Sequence, residues 1–322
     1  MNREIKIGSL GLKSRVALAP MAGITDTAFR QIIREYSPDC LLVTEMLSSE
    51  ALMWNKEQSI AFCEEFEKPI AYQIVGHKPE LMAKAAKKIQ KNAAIIDINM
   101  GCPVNKIVKS QDGSGLMKNP SLAYDIVQAV KEAVEKPVSV KFRLGWDANS
   151  KNYIMFGEYM QDAGASMVTM HARTRTQMYS GKADWNAIKE LKKAIDIPVY
   201  ANGDINSVEK AIECLETTNC DGLMIGRGVL GNPDLIYRIE HWFKTGEVLP
   251  EPTLAEKISI LKHHIEKEIH YRGEYPAMKF MRKFHSHYIK GVKNAAALRD
   301  ILVREEDINN VIKILDGVAQ NG

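Results

Sequence analysis

Short apolar or β-branched runs alternate with longer stretches of helical period from about residue 15 to residue 245, and this alternation constrains the fold more than any other feature. The strand candidates are Val16–Ala19, Leu41–Glu45, Ile70–Val75, Ile95–Asn99, Val138–Arg143, Met167–His171, Val199–Asn202 and Gly222–Ile225. Between them lie Thr27–Tyr36, Pro79–Lys91, Ser121–Glu135, Tyr153–Ala163, Trp185–Ile195 and Ser207–Thr217. Their apolar residues recur every three or four positions, as in Leu122, Ile126, Ala129 and Val130. Strands that regularly alternate with helices pair in parallel through right-handed crossovers. Eight such units in roughly 230 residues predict an α/β fold, a closed (β/α)8 TIM barrel. An open doubly wound sheet is the competing architecture. It usually carries Gly-x-Gly-x-x-Gly after its first strand, whereas the turn here reads Ala19-Pro20-Met21-Ala22-Gly23.

The texture changes after Pro250-Glu251-Pro252, where strand-like runs stop. Thr253–Tyr271, Pro276–Gly291 and Glu305–Leu315 read as helices, with Thr253 and Glu256 spaced as a capping box. A barrel domain over 1–248 and a small C-terminal α-helical domain over 249–322 are therefore expected. The stretch 261–304 holds ten Lys or Arg against four Asp or Glu, so these helices should present a basic surface. Its Tyr271, Tyr275, Phe280, Phe284 and Tyr288 are either core or a stacking platform for bases. The whole chain carries only +3, too little to argue for nucleic acid by itself. No apolar run approaches the ~20 residues of a membrane span, and Met1–Lys6 lacks the apolar core of a signal peptide. The five cysteines form no Cys-x-x-Cys pair, so no metal site is expected, and scattered thiols suggest a reducing cytoplasm.

In such a barrel, function gathers at the C-terminal ends of the strands. Here those ends carry Pro20-Met21-Ala22, Glu45, Gln73 with Gly76, Asn99 with Cys102, Lys141 with Arg143, His171 with Arg173, Asn202-Gly203-Asp204 and Gly226-Arg227-Gly228. A purely structural barrel has no use for so many polar groups at one rim. The motif Asn99-Met100-Gly101-Cys102-Pro103 sets a thiol at a strand's mouth between a permissive Gly and a rigid Pro. On its own, a lone Cys in a turn is most often a small half-buried hydrophobe. The glycines after the seventh and eighth strands would let backbone N–H groups approach phosphate oxygens, and Arg227 would add a fork of donors. Lys141 would steady an anionic reduced ring, and Gln73 can both donate and accept at a planar edge. The wide arc of polar residues favours a phosphorylated planar cofactor, flavin mononucleotide (FMN), over a sugar phosphate.

Taken together, Ala17-Leu18-Ala19-Pro20-Met21-Ala22-Gly23-Ile24-Thr25-Asp26, Asp97-Ile98-Asn99-Met100-Gly101-Cys102-Pro103, Lys141-Phe142-Arg143, His171-Ala172-Arg173-Thr174-Arg175 and Asn202-Gly203-Asp204-Ile205 resemble the tRNA-dihydrouridine synthase family, most closely its bacterial B type. The likeness runs through nearly the whole chain in order, helical tail included. Ala172, where the family more often has Gly, and Phe142, where it usually has an aliphatic residue, are local departures. The resemblance implies an FMN enzyme that uses NADPH to reduce the carbon 5–carbon 6 double bond of selected uridines in tRNA. It places Pro20, Met21 and Ala22 against the flavin and has Gln73, Lys141 and His171 bond to it. Asn202, Gly203, Asp204, Gly226 and Arg227 would hold its ribityl phosphate. Cys102 would be the proton donor, with Asn99, Arg143 and Arg173 as substrate contacts.

The chemistry asks for these parts. Hydride added at carbon 6 of uracil builds enolate charge toward carbon 5, and a thiol of ordinary pKa about 8.5 can protonate it from the opposite face. Asn99 and Arg143 would steady that charge at the uracil carbonyls. A stacked uracil is out of reach, so the base must be flipped into the barrel mouth. The basic helices would grip the RNA backbone without reading bases, and a chain ended near Pro250 should keep its flavin and lose RNA. The family precedent is a monomer, with tRNA as partner and ribosomal RNA as an alternative. A reductase of free pyrimidines would use the same rim and leave the basic tail idle. A non-catalytic RNA-binding module would leave the thiol idle.

Overall fold

The computed structural model describes residues 4–54 and 61–321, so Met1, Asn2 and Arg3 of the segment weighed above as a signal peptide lie outside the described residues. Eight parallel strands form a barrel: Val16–Leu18, Leu42–Val43, Ile70–Val75, Ile95–Met100, Val138–Arg143, Met167–His171, Val199–Asn202 and Gly222–Ile225. Each strand pairs with its neighbours in chain order. The ring shuts where Ala17 bridges Leu41, with the Leu18 N–H donating to Leu41 O at 2.9 Å and the Leu41 N–H to Val16 O at 3.2 Å. The open-sheet alternative is therefore excluded. The helices Thr27–Tyr36, Pro79–Ile89, Pro120–Ala133, Tyr153–Asp162, Trp185–Ala194 and Val208–Thr218 match the segments of helical period to within a few residues.

Period-two alternation layers the inner wall. Ile95, Asp97 and Asn99 share one face of their strand, as do Ser139, Lys141 and Arg143. Register sets Gln73 beside Asp97, Asp97 beside Ser139, Asn99 beside Lys141 and Asn202 beside His171. At the N-terminal end Ala17, Leu41, Ala71, Ile95, Met167, Tyr200 and Met224 form an apolar plug. A hairpin, Ile5–Ile7 with Leu10–Leu12, seals that end by adding Ile7 and Leu12 to the same cluster. Polar chemistry is left to the other end.

The C-terminal region holds four helices rather than three: Leu254–Arg272, Glu274–Tyr288, Ala295–Arg304 and Ile308–Asn321. The capping box at Thr253 and Glu256 is present. Glu305-Glu306-Asp307 is a junction and not a first turn, because the Asp307 carboxylate accepts the Asn309 N–H at 2.7 Å. These helices share a core with the barrel's first helix. The Phe29 ring lies 5.3 Å from His264 and 5.8 Å from Phe284, Lys267 pairs with Glu35 at 2.8 Å, and Arg272 pairs with Asp26. Much of the basic charge is neutralised in place, by Lys262–Asp316, Lys267–Glu35, Arg272–Glu268, Arg282–Glu306 and Arg304–Asp300. Phe284 and Tyr288 are core, while Tyr275 is exposed. Among the described residues no helix is long and apolar enough to cross a membrane.

Candidate active site

The barrel mouth opens into a cavity of about 1140 Å³, at the large end of small-molecule clefts, which run to about 1,000 Å³. Pro20, Met21, Ala22, Gln73, Asn99, Cys102, Lys141, Arg143, His171, Asn202, Gly203, Asp204, Gly226 and Arg227 all line it. Arg173 does not. It is 2% exposed and spends its guanidinium on Asp204 (2.7 and 2.8 Å) and on the carbonyls of Ser180 (3.0 Å) and Gly181 (2.6 Å). Where a substrate contact is expected of Arg173, the structure has its guanidinium behind Asp204, holding it.

The turn that carries Cys102 is fastened from three sides. Its own N–H and that of Gly101 donate to Asn99 Oδ1, at 2.9 and 3.1 Å. Its carbonyl accepts from the Ser114 N–H at 3.1 Å and from Ser114 Oγ at 2.8 Å. Arg143 Nε donates to Gly101 O at 2.7 Å. Gly113, at φ +56°, comes so close that a Cβ there would lie 2.9 Å from Cys102 O. Burial pushes the Cys102 thiol pKa up, against the pull of the Val104 N–H and the charges of Arg143 and Lys141.

Asn99 and Gln73 are committed to one another. Asn99 Nδ2 donates to Gln73 Oε1 at 2.8 Å, and Gln73 Nε2 donates to Asp97 Oδ2 at 2.6 Å. Lys141 Nζ donates to Asn202 Oδ1 at 3.1 Å, and Asn202 Nδ2 donates to Met224 O at 2.7 Å. Burial, with the charge of Arg143, holds the Lys141 ammonium down to about 8. His171 is pushed well below its ordinary value by burial and then by Lys141, Arg143 and Arg173, so it is neutral. Arg173 Nη1 lies 3.5 Å from His171 Nε2 and can only donate, which leaves the ring proton on Nδ1.

Two turns close the other side. Asp204 sits at φ +58°, and besides Arg173 it accepts the Ala183 N–H at 2.7 Å. Trp185 Nε1 donates to Gly203 O at 3.0 Å. Gly228 packs so closely on Ile205 O that a Cβ would stand 2.3 Å away. The backbone N–H groups of Gly203, Asp204, Gly226 and Arg227 have no acceptor among the described residues. Tyr179 is among the lining residues that motif reasoning missed: it is 50% exposed, with the Arg227 guanidinium 4.9 Å from its ring and that of Arg143 5.6 Å. It falls in an irregular loop, where no periodicity could announce it.

The family model described as dihydrouridine synthase matches residues 17–320. The probable tRNA-dihydrouridine synthase 1 of Synechocystis sp. is 44% identical over 316 residues, covering 98% of this chain and 89% of that protein. The tRNA-dihydrouridine synthase B of Vibrio cholerae is 38% identical over 320 residues, covering 98% and 99%. Among solved structures, morphinone reductase in complex with tetrahydroNAD superposes with a TM-score of 0.53 at 13% identity, over 78% of this chain and 92% of that one. A 2-naphthoyl-CoA reductase complex reaches 0.59 at 10% identity, over 74% and 51%. Those two likenesses are of fold alone. A family match that spans the barrel and the helices together, with relatives aligned over nearly the full length, shows that this chain belongs to the dihydrouridine synthase family.

Proposed function

We propose that this protein reduces uridines of tRNA to 5,6-dihydrouridine, with FMN held in the barrel mouth and Cys102 as the acid. The carrying observation is the Cys102 turn, fastened by Asn99, Ser114 and Arg143 on the same cavity as Lys141, His171 and the two glycine turns. The residues suit a flavin phosphate. The residues Gly203, Asp204, Gly226 and Arg227, whose backbone N–H groups have no acceptor among the described residues, line one side of the cavity, and free backbone donors so grouped suit an anion. Gln73 and Lys141 would meet the polar edge of the ring, with Pro20, Met21 and Ala22 against it. Bound and reduced by NADPH, FMN supplies the hydride that adds at carbon 6 of uracil.

The chain's own residues do the rest. A Cys102 thiol kept protonated by burial donates its proton to carbon 5. Arg143 Nη2 bonds to no acceptor among the described residues, since Nε and Nη1 are taken by Gly101, Thr174 and Met178, so it is free for a uracil carbonyl. Asn99 gives one Nδ2 hydrogen to Gln73 and the other to Met46 Sδ at 3.9 Å, a weak acceptor that a uracil carbonyl would replace, and its Oδ1 sets the turn. Lys279, Lys290, Lys293 and Arg299 have no carboxylate partner among the described residues and would meet RNA phosphates. Five unpaired cysteines suit the reducing cytoplasm.

Cys102→Ala is the direct test. The variant should bind FMN and accept electrons from NADPH at the wild-type rate. Dihydrouridine formed in tRNA, read by mass spectrometry, should fall ~100-fold, the range for losing a general acid. Product at the wild-type rate would remove Cys102 from the reaction.

A further inference from the structure

We propose that Asp97 is a positioning residue, fixing the amide orientation of Gln73 and, through Asn99, the turn that presents Cys102. The inference rests on the reading of Cys102 as acid. An amide is nearly symmetric in shape, and only its neighbours decide which end is oxygen. Here the decision starts at Asp97, 1% exposed on the inner wall. Ser139 Oγ donates to its Oδ1 at 2.6 Å and Gln73 Nε2 to its Oδ2 at 2.6 Å.

Each later link follows from that one. With its NH₂ spent on Asp97, Gln73 offers Oε1 to Asn99, which must turn its Nδ2 there, at 2.8 Å. Asn99 therefore aims Oδ1 at the N–H groups of Gly101 and Cys102. Were Gln73 to flip, Asn99 would flip with it and face those two donors with a third. The Cys102 turn would lose its anchor. Burial pushes the Asp97 carboxyl up to about 6, while Ser139, Gln73 and then the charge of Lys141, on the fifth strand, oppose it. It is thus ionised, and acceptor-only, at neutral pH.

The test uses full-length enzyme loaded with FMN and a tRNA transcript lacking dihydrouridine. Asp97→Ala should lower the rate at saturating tRNA at least tenfold and leave KM for tRNA within twofold. Asp97→Asn should recover to within threefold of wild type, because the new amide still accepts from Gln73 and donates to Ser139. Thr169→Val, on the same inner wall outside the relay, should stay within twofold. An Asp97→Ala enzyme as fast as wild type, or an Asp97→Asn enzyme as slow as Asp97→Ala, would overturn the relay. If Asp97→Ala does not hold flavin, the decision passes to Gln73→Glu and to Gln73→Glu combined with Asp97→Asn. The single variant opposes two carboxylates, and the double restores one amide facing one carboxylate, so at least tenfold recovery is expected and its absence overturns the relay. The wild-type control reports separately on the function, since no dihydrouridine from it would sink the enzymatic reading itself.

Discussion

Lys141 is where the site works against the fold. Its Nζ is bonded to Asn202 Oδ1 and has no carboxylate within ion-pair distance among the described residues, so a half-buried cation stands beside Arg143. Burial brings it from 10.5 to about 8 in the folded chain. Between those values the unfolded state binds the extra proton, so the stability of the FMN-free protein should rise as pH goes from about 8 to 10.5. Below that window the penalty is complete. Lys141→Met should therefore melt higher than wild type at pH 7, with the gap narrowing through the window, in thermal unfolding of both proteins. A gap that ignores pH would show that Lys141 carries no such penalty. Residue types on the rim were legible because a barrel's strand ends collect chemistry. Partners were not. That Gln73 orients Asn99, that Asp204 is spent on Arg173, and that Asn202 holds Lys141 depend on contacts between segments distant in sequence.

At the scale of elements, the two glycine turns behave as one unit. A Cβ on Gly228 would stand 2.3 Å from Ile205 O and 3.0 Å from Asn206 Cα, both backbone atoms that cannot swing away. Gly228→Ala must push the turn at Arg227 off the turn at Asn202–Asp204. Overpacking of this kind costs roughly 1–3 kcal/mol, and the distortion falls on the N–H groups proposed to hold phosphate. FMN affinity should drop about tenfold or more, measured by fluorescence titration, while circular dichroism stays that of the wild type. Unchanged affinity would show that the turns need not touch. All eight barrel strands were readable, since each is a short apolar run bounded by turn residues. The hairpin Ile5–Leu12 and the strand Leu47–Ser48 are too short to show a period, and Ala295–Arg304 begins after Asn294 at φ +58°, where helical period alone shows no start.

At the scale of the whole molecule, the barrel and the helices share one core. Phe29, fully buried, stacks on Phe284 and packs tilted against His264, and Asp26 and Glu35 hold Arg272 and Lys267. Lys283 donates to Gly23 O, beside the Pro20–Ala22 wall of the cavity. Ending the chain at Pro250 uncovers Phe29 alone at ~2–3 kcal/mol, strips the partners from two carboxylates, and opens an apolar patch prone to association. Against a total stability of ~5–15 kcal/mol this is a large loss, and it falls on the flavin wall as well. The truncated protein should be aggregated or free of flavin. The helices' part in RNA binding must be read instead from surface charge in the intact chain. Lys279→Glu with Lys293→Glu, neither of which lines the cavity, should leave the flavin spectrum and melting temperature as they are and weaken tRNA about tenfold in a gel shift, with a shallower dependence on salt. A soluble yellow fragment ending at Pro250 would show that the shared core is dispensable, and tRNA affinity untouched by the two reversals would move the RNA site off this face.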